Sequence, residues 1–497
     1  MATATIIIKD EVNCKVSGLD IAFRKKLVKK FKFLLPYARH LPAVRLGRWD
    51  GCVNFFQLGG STYINLLDEI IPMLIDGGYE VDLDDRRTYN TSFTFKNVEE
   101  DSFFHIKWQA THLYAGQGIT LREHQVETIN NFLANPQCIQ EVATGAGKTV
   151  ITGALSTMVE PYGRTIVIVP NKSLVTQTED DYINMGLDCG VFYGNRKEYT
   201  KTHTICTWQS LNSLFKKSKA GEASIPIGDF LEDVVCVIVD EVHSAKADAL
   251  KGMLTGPMSH IPLRWGLTGT VPKEASEYNT IFTSIGKVIG RVSSVELQKK
   301  GILANCHVNI KQLQDGVTHS NYQSELKYLL SDEDRLDQLA LMIKNISATG
   351  NTLVLVDRVA AGKGIVDRLN QDQAWAKKKG EDKIVFVHGA TKTEKRKEHY
   401  DEVANASDMV IVATYGVAAV GINIPRIFNL VLIEPGKSFV RVVQSIGRGV
   451  RVAEDKDFVQ IYDITSSCKF AKRHLTQRKK FYREQEFPFK VEKIQWK

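Results

Sequence analysis

The sequence predicts an α/β protein in which two successive parallel-sheet domains follow a small α+β module. Two observations carry that prediction. From about residue 117, short apolar runs rich in β-branched residues alternate with helical segments, without the polar alternation of a half-exposed strand. The same grammar restarts after about residue 350, so the pattern describes two sheets rather than one. A length of 497 residues accommodates three or four such units.

Taken in order, "TIIIKD" reads as a strand, and "IAFRKKLVKKFKFLL" (21–35) as a strongly basic amphipathic helix. "GCVNFFQLGGSTYI" suggests a hairpin turning at Gly59 and Gly60. "LLDEIIPMLIDGGYEV" (66–81) suggests a second helix stopped by Gly77 and Gly78, then a strand. The weakly patterned stretch around 83–116 is expected to be a linker. The strands of the first large domain are "CIQEVA", "RTIVIVP", "HTICTW", "VVCVIVDE" and "RWGLTGT". Those of the second are "NTLVLVD", "DKIVFVHG", "DMVIVAT", "NLVLIEP" and "FVQIYDI". The expected divisions are a module with linker over 1–115, domains over 116–310 and 311–465, and a basic extension over 466–497.

Composition bounds the function. At 43% hydrophobic and 24% charged residues the chain reads as an ordinary globular protein, and no run of about 18 apolar residues predicts a membrane span. The N-terminus turns charged after a short apolar run, unlike a secretory signal, so a cytoplasmic location is expected. The eight cysteines are scattered without a CxxC pair, which points away from zinc and disulfides and towards free thiols. A net charge of +7 conceals an uneven distribution. Residues 1–60 hold 11 Lys/Arg against 4 Asp/Glu, 61–115 hold 4 against 10, and 465–497 hold 10 against 3. Two basic ends are either a footprint of phosphate-backbone binding or solvated faces.

The motifs narrow this. "EVATGAGKTV" follows a strand and opens a helix, and Thr144, Gly145, Ala146 and Gly147 let backbone N–H groups face a phosphate chain. Lys148 would reach the β- and γ-phosphates, and the Thr149 hydroxyl would coordinate Mg²⁺. Val142 stands where this loop usually begins with glycine. In "VVCVIVDEVH" an apolar strand delivers Asp240 and Glu241 at its C-terminal end, suited to Mg²⁺ and to orienting the attacking water. In "LREHQ", the Gln125 amide can donate to and accept from an adenine edge. "GLTGT" ends a strand with Thr268 and Thr270 around Gly269. "QSIGRGVR" places Gln444, Arg448 and Arg451 on one face at helical spacing, with no acid inside the stretch to neutralise the arginines. An arginine brought to a phosphate from a second domain stabilises transition-state charge and is worth about 10³–10⁵ in rate.

In this order, "LREHQ", "ATGAGKT", "IVPNKSL", "TWQSL", "DEVH", "GLTGT", "ATYGVAAVGINIP" and "QSIGRGVR" resemble the superfamily 2 helicases and translocases over about residues 117–465. "DEVH" with "GLTGT" looks like the XPB and RecG branch rather than the DEAD-box RNA helicases. "GRWDG" (47–51) ahead of the motor looks most like the phage UvsW-type recombination helicases. The resemblance implies two tandem RecA-like domains that hydrolyse ATP with Mg²⁺. It implies nucleotide contacts from Gly421 and Asn423, the latter where the family usually has Asp, and catalytic arginines at Arg448 and Arg451. His243, Thr268, Thr270 and Gln444 would couple ATP state to the nucleic-acid track. Pro170, Asn171, Thr207, Trp208, Gln209 and Thr414 fall at strand-contacting positions, where Trp208 either stacks on a base or packs inside. Charge adds Arg24, Lys25, Lys29, Lys32, Arg45 and Arg48 as a duplex-backbone surface.

The expected activity is an ATP-dependent DNA helicase or translocase that unwinds or branch-migrates forks, junctions and RNA–DNA hybrids in recombination, repair or replication. It is expected to be a monomer, located in the host cytoplasm if the protein is of phage origin, with recombination or replication proteins as partners. The alternatives are an RNA helicase or remodeler, an ATP-gated binding protein without turnover, and the motor of a nuclease.

Overall fold

The computed structural model describes residues 2–35, 37–88, 92–109, 112, 114–242, 247–303, 305–378, 381–391, 395, 398–399, 402–403, 406–418, 426–436, 458–484 and 486–496. The chain divides into two compact units, one of Met1–Val142 with Gly147–Arg291, the other of Ala143–Ala146 with Val292–Lys497.

The first unit begins with a four-stranded sheet in the order Ser61–Tyr63, Asn13–Ser17, Ala2–Ile8, Tyr79–Asp85. Alternate residues of Ala2–Ile8 face inward, so Ala4, Ile6 and Ile8 meet Leu27, Phe31, Phe55, Ile70 and Leu74 in one core. The basic helix covers Ile21–Lys30. Asp20 caps it by accepting the Phe23 N–H at 2.8 Å, and Lys29 and Lys30 face the negative end of its dipole. The helix does not reach residue 35 as expected: Lys32–Leu34 is a strand paired with Cys52–Asn54. Phe33 there packs edge-on against Phe55 at 5.8 Å, which a continued helix would forfeit.

The chain does turn at Gly59 and Gly60, with Gly60 N–H donating to Gln57 O at 2.8 Å. The flanking strands nevertheless pair with other partners rather than with each other, so no hairpin forms. Gly60 is required because its φ is +89° and a Cβ would stand 2.1 Å from Val16 O. The expected linker is packed down: Val98 and Phe103 are buried, and Val98 exchanges hydrogen bonds with the Asn130 side chain at 2.8 and 3.0 Å.

The same unit holds a larger sheet whose described strands run in the order Arg196–Lys197, Cys189–Tyr193, His203–Thr207, Arg164–Val169, Val234–Val239, Leu263–Thr268, Gln137–Val142, Lys287–Val292. The five strands read from sequence are its parallel centre. Cys189–Tyr193, Arg196–Lys197 and Lys287–Val292 are additions that the sequence reading lacks.

The second unit carries a parallel sheet in the order Ile384–Val387, Val410–Thr414, Thr352–Val356, Asn429–Ile433, Phe458–Ser466, Asn305–Leu313, Phe489–Ile494. Its two last strands correct the expected organisation. Asn305–Leu313 lies inside this sheet, across the division expected between residues 310 and 311. The basic tail is likewise no extension: helix Lys469–Glu484 buries Arg478 and Tyr482 against Asp463, and Phe489–Ile494 pairs with Asn305–Leu313. Arg478 Nε and Nη2 donate to the two Asp463 oxygens at 2.8 and 3.0 Å, and the Tyr482 hydroxyl adds a bond at 2.9 Å.

Candidate active site

The first unit gathers Gly147 and Lys148 of the phosphate-loop motif, the acidic strand end and "LREHQ", while Ala143–Ala146 of the loop group with the second unit. Strand Gln137–Val142 leads into the loop, and helix Lys148–Val159 begins directly behind it. Gly145 and Gly147 hold φ of +87° and +84°, the left-handed region that lets consecutive N–H groups converge. A Cβ on Gly147 would stand 2.4 Å from Gln125 Nε2, so a side chain there would have to displace the end of Gln125 as well as strain the backbone. Gln125 is buried, and its Oε1 accepts the Arg122 N–H at 2.9 Å, closing the first turn of helix Glu123–Ala134. The side-chain oxygen thus serves the backbone, while the nitrogen faces the loop. Thr144 and Thr149 are half-buried, and Ala146 is fully buried.

Asp240 and Glu241 leave the end of strand Val234–Val239. Asp240 donates its N–H to Ile168 O at 2.9 Å and accepts the Glu241 N–H on its carboxylate at 3.0 Å. Glu241 has φ +51°, unusual for a residue with a Cβ and a conformation that costs about 1–3 kcal/mol. The turn brings its carboxylate against the ammonium of Lys148, and each of the two side chains is 8% exposed. The other Glu241 oxygen accepts the Gly269 N–H at 3.3 Å. Thr268 and Thr270 shape that contact: the Thr268 hydroxyl donates to Thr270 O at 2.8 Å and accepts the Thr270 N–H at 3.2 Å. Read from sequence, Lys148, Glu241 and the "GLTGT" turn have separate tasks; in the fold they form a chain of direct contacts. No local signal carries it, because the partners lie far apart in sequence.

This arrangement has a definite chemical capacity. A buried ammonium faces a carboxylate, and N–H groups converge at a helix N-terminus. A phosphate chain entering there would take over Lys148 and free Glu241 to orient water.

Two strand ends form a second group. Asn171 caps helix Lys172–Asn184 by accepting the Leu174 N–H at 3.0 Å. Thr207 caps helix Trp208–Lys219 by accepting the Ser210 N–H at 3.3 Å. Their strands are parallel neighbours, and Gln209 Nε2 donates to Pro170 O at 3.3 Å, so the two helix N-termini are tied side by side. Trp208 is half-buried and packs against the buried core. Thr414 ends strand Val410–Thr414 of the other unit and is buried.

In the N-terminal module, Lys25, Lys29, Arg45 and Arg48 are exposed, Arg24 is half-buried, and Lys32 pairs with Asp50 at 2.6 Å. His243, Gly421, Asn423, Gln444, Arg448 and Arg451 lie outside the described residues.

Residues 118–273 match the family model for the type III restriction enzyme, res subunit, and 333–453 match that for the helicase conserved C-terminal domain. The ATP-dependent DNA helicase uvsW of Enterobacteria phage T4 is 23% identical over 471 residues, covering 91% of this chain and 88% of its own. The DNA 3'-5' helicase XPB of Kineococcus radiotolerans is 23% identical over 390 residues, 76% of this chain and 65% of that one. The structure of S. cerevisiae Dbp5 bound to RNA and ADP BeF3 has a TM-score of 0.53 at 13% identity, covering 76% of this chain and 90% of that one, a likeness of fold. With both helicase modules in sequence on two parallel sheets, the chain belongs to the superfamily 2 helicases and translocases, enzymes that hydrolyse ATP.

Proposed function

We propose that this protein uses ATP hydrolysis to unwind or branch-migrate branched DNA, including forks, junctions and RNA–DNA hybrids, in recombination, repair or replication. The observation that carries the ATP half is the buried meeting of Lys148 with Glu241 beside Gly147. A lysine held with its counter-ion at the start of the helix behind a glycine turn is poised to exchange carboxylate for phosphate. Mg²⁺ fits the donor set: Thr149 supplies a hydroxyl and Asp240 a carboxylate, and such a site takes only one or two protein ligands beside phosphates. The ion's contribution is neutralisation of phosphate charge. Gln125 orders the loop, Lys148 binds phosphate, and Glu241 orients water. Arg448, Arg451, Gly421 and Asn423 are proposed to complete the site, with His243, Thr268, Thr270 and Gln444 linking it to the strand.

DNA as the track rests on the relatives named as DNA helicases and on charge. All four acids of residues 1–60 are engaged in holding the fold. Asp10 accepts the Val12 and Asn13 N–H groups at 2.9 and 2.7 Å, and Glu11 pairs with Arg87 at 2.9 Å. Asp20 caps a helix, and Asp50 pairs with Lys32. Among the described residues no acid lies within ion-pair distance of Lys25, Lys29, Arg45 or Arg48, so these cations face outward for phosphates. Pro170, Asn171, Thr207, Gln209 and Thr414 would grip one strand through its backbone. The protein is proposed to act as a monomer in the cytoplasm, that of the host if the protein is of phage origin, alongside recombination or replication proteins.

The test is strand conversion of a labelled four-way junction, a fork and a plain duplex with ATP and Mg²⁺, with Lys148→Ala as control. Conversion of junction and fork by wild type alone is expected. Hydrolysis stimulated by RNA and not by DNA would refute the DNA reading.

A further inference from the structure

The N-terminal sheet is fastened chiefly to one short stretch of the first unit, with Gln137 and Phe282 as further contacts. That stretch, residues 251–259, closes helix Ala247–Leu254, the first described element after the acidic strand end, and the turn beyond it. Lys251 Nζ stands 3.9 Å from the centre of the Phe55 ring and 4.9 Å from that of Tyr63, both within the N-terminal core. Asn13 Nδ2 donates to Thr255 O at 2.8 Å, and both Asp10 oxygens hold the same amide, at 3.1 and 3.0 Å. Glu11 donates its N–H to Ser259 O at 3.0 Å and accepts from Gln137 Nε2 at 2.7 Å. Gln137 opens the strand that ends at the phosphate loop.

The seat itself is stiff. Arg264, fully buried, donates to Leu254 O and Met258 O at 2.7 Å each, and to Ser284 O at 3.0 and 2.7 Å. It belongs to strand Leu263–Thr268, which ends at the turn whose Gly269 N–H touches Glu241. The Phe282 ring packs into the N-terminal core while its carbonyl accepts from Asn65 at 2.9 Å.

We infer that Lys251 is a positioning residue that docks the N-terminal module on the helix after "DEVH", so that nucleic acid on the module's basic face acts on ATP turnover. A cation between two aromatic rings suits this task, being attracted to both ring faces while partly removed from water. The ammonium adds a charged grip to a seat where backbone carbonyls accept the other bonds. Because strand Gln137–Val142 and strand Leu263–Thr268 each begin at this seat and end at the ATP site, a module held here belongs to the ATP-binding body. The inference rests on the proposed nucleic-acid reading for its functional half, and on geometry alone for its docking half.

The experiment compares Lys251→Met, Lys251→Arg and Asn13→Ala in the full chain. Hydrolysis is measured against concentration of a DNA fork, and amide hydrogen exchange is measured at Glu11. In Lys251→Met the fork concentration for half-maximal stimulation should rise about tenfold, the scale of one partly desolvated cation–π contact. Hydrolysis without DNA should stay unchanged, and exchange at Glu11 should accelerate. Asn13→Ala should shift both readouts in the same direction, and Lys251→Arg should restore both, since a guanidinium also stacks on rings. Unchanged exchange and unchanged fork dependence in Lys251→Met would overturn the inference. So would a loss that Arg fails to rescue and that lowers DNA-free hydrolysis equally, which is the mark of general unfolding. If wild-type hydrolysis ignores DNA and RNA, the proposed function falls. The exchange data then decide docking alone, with acceleration upholding it and unchanged rates rejecting it.

Discussion

Glu241→Gln should separate ATP binding from ATP turnover in opposite directions. The Glu241 and Lys148 side chains that face each other are each 8% exposed, so solvent screens the pair weakly. Two unit charges about 4 Å apart at an effective dielectric of about 20 attract by about 4 kcal/mol. A glutamine keeps one oxygen for Lys148 and loses the charge, so about 2–3 kcal/mol of that attraction should vanish from the nucleotide-free protein. Bound ATP restores a counter-ion to Lys148 through its phosphates. The variant should therefore bind a non-hydrolysable ATP analogue more tightly than wild type, by about 25–150-fold at about 1.4 kcal/mol per decade. Turnover should fall by about 10²–10⁴, the range for removing a positioned base. Titration calorimetry with the analogue and thermal unfolding with and without it measure both halves. Binding no tighter than wild type, together with an unchanged nucleotide-free melting temperature, would refute the argument that this pair is an energetic feature of the empty site.

Other outcomes follow from the same geometry. Gly147→Ala should lower ATP affinity at least about tenfold, because a left-handed backbone and a Cβ 2.4 Å from Gln125 Nε2 both oppose the loop shape; calorimetry checks it, with circular dichroism as the folding control. Arg478→Ala should destabilise the second unit by about 3–5 kcal/mol by leaving Asp463 buried without its cation. Denaturant unfolding reads this, and a midpoint equal to wild type would contradict it. The double variant Arg45→Glu with Arg48→Glu should reduce the slope of log affinity against log salt by about two, since each phosphate that a cation neutralises contributes about 0.9 to it. A slope equal to wild type in a fork-binding titration would remove these arginines from the interface.

Some elements are plain in the sequence and others are not, for reasons that differ. Fully buried parallel strands such as Val234–Val239 and Thr352–Val356 announce themselves, because burial on both faces demands unbroken apolar runs. Asn305–Leu313 is hidden because His307, Asn309 and Lys311 alternate with Val308 and Ile310, a pattern that resembles a join between domains. Phe489–Ile494 is hidden because an edge strand carries charge on its open side, and its inner residues are mostly exposed. Residues 32–34 read as part of the preceding helix because "KKFKFLL" satisfies helical spacing, and only pairing with Cys52–Asn54 decides otherwise.

By itself the sequence determined the chemistry available to this protein. Gly145, Gly147, Lys148, Thr149, Asp240 and Glu241 are of the types and in the local settings that phosphate transfer needs, because each motif is read within one strand end and one helix start. Tertiary structure decided which of them meet. The Lys148–Glu241 contact spans 93 residues, the Glu241–Gly269 bond 28, and the Asn13–Thr255 bond 242. Periodicity and spacing describe a neighbourhood of a few turns, whereas a parallel sheet brings together strand ends separated by whole crossover helices. Which carboxylate faces which ammonium is therefore written in the strand order and not in any motif.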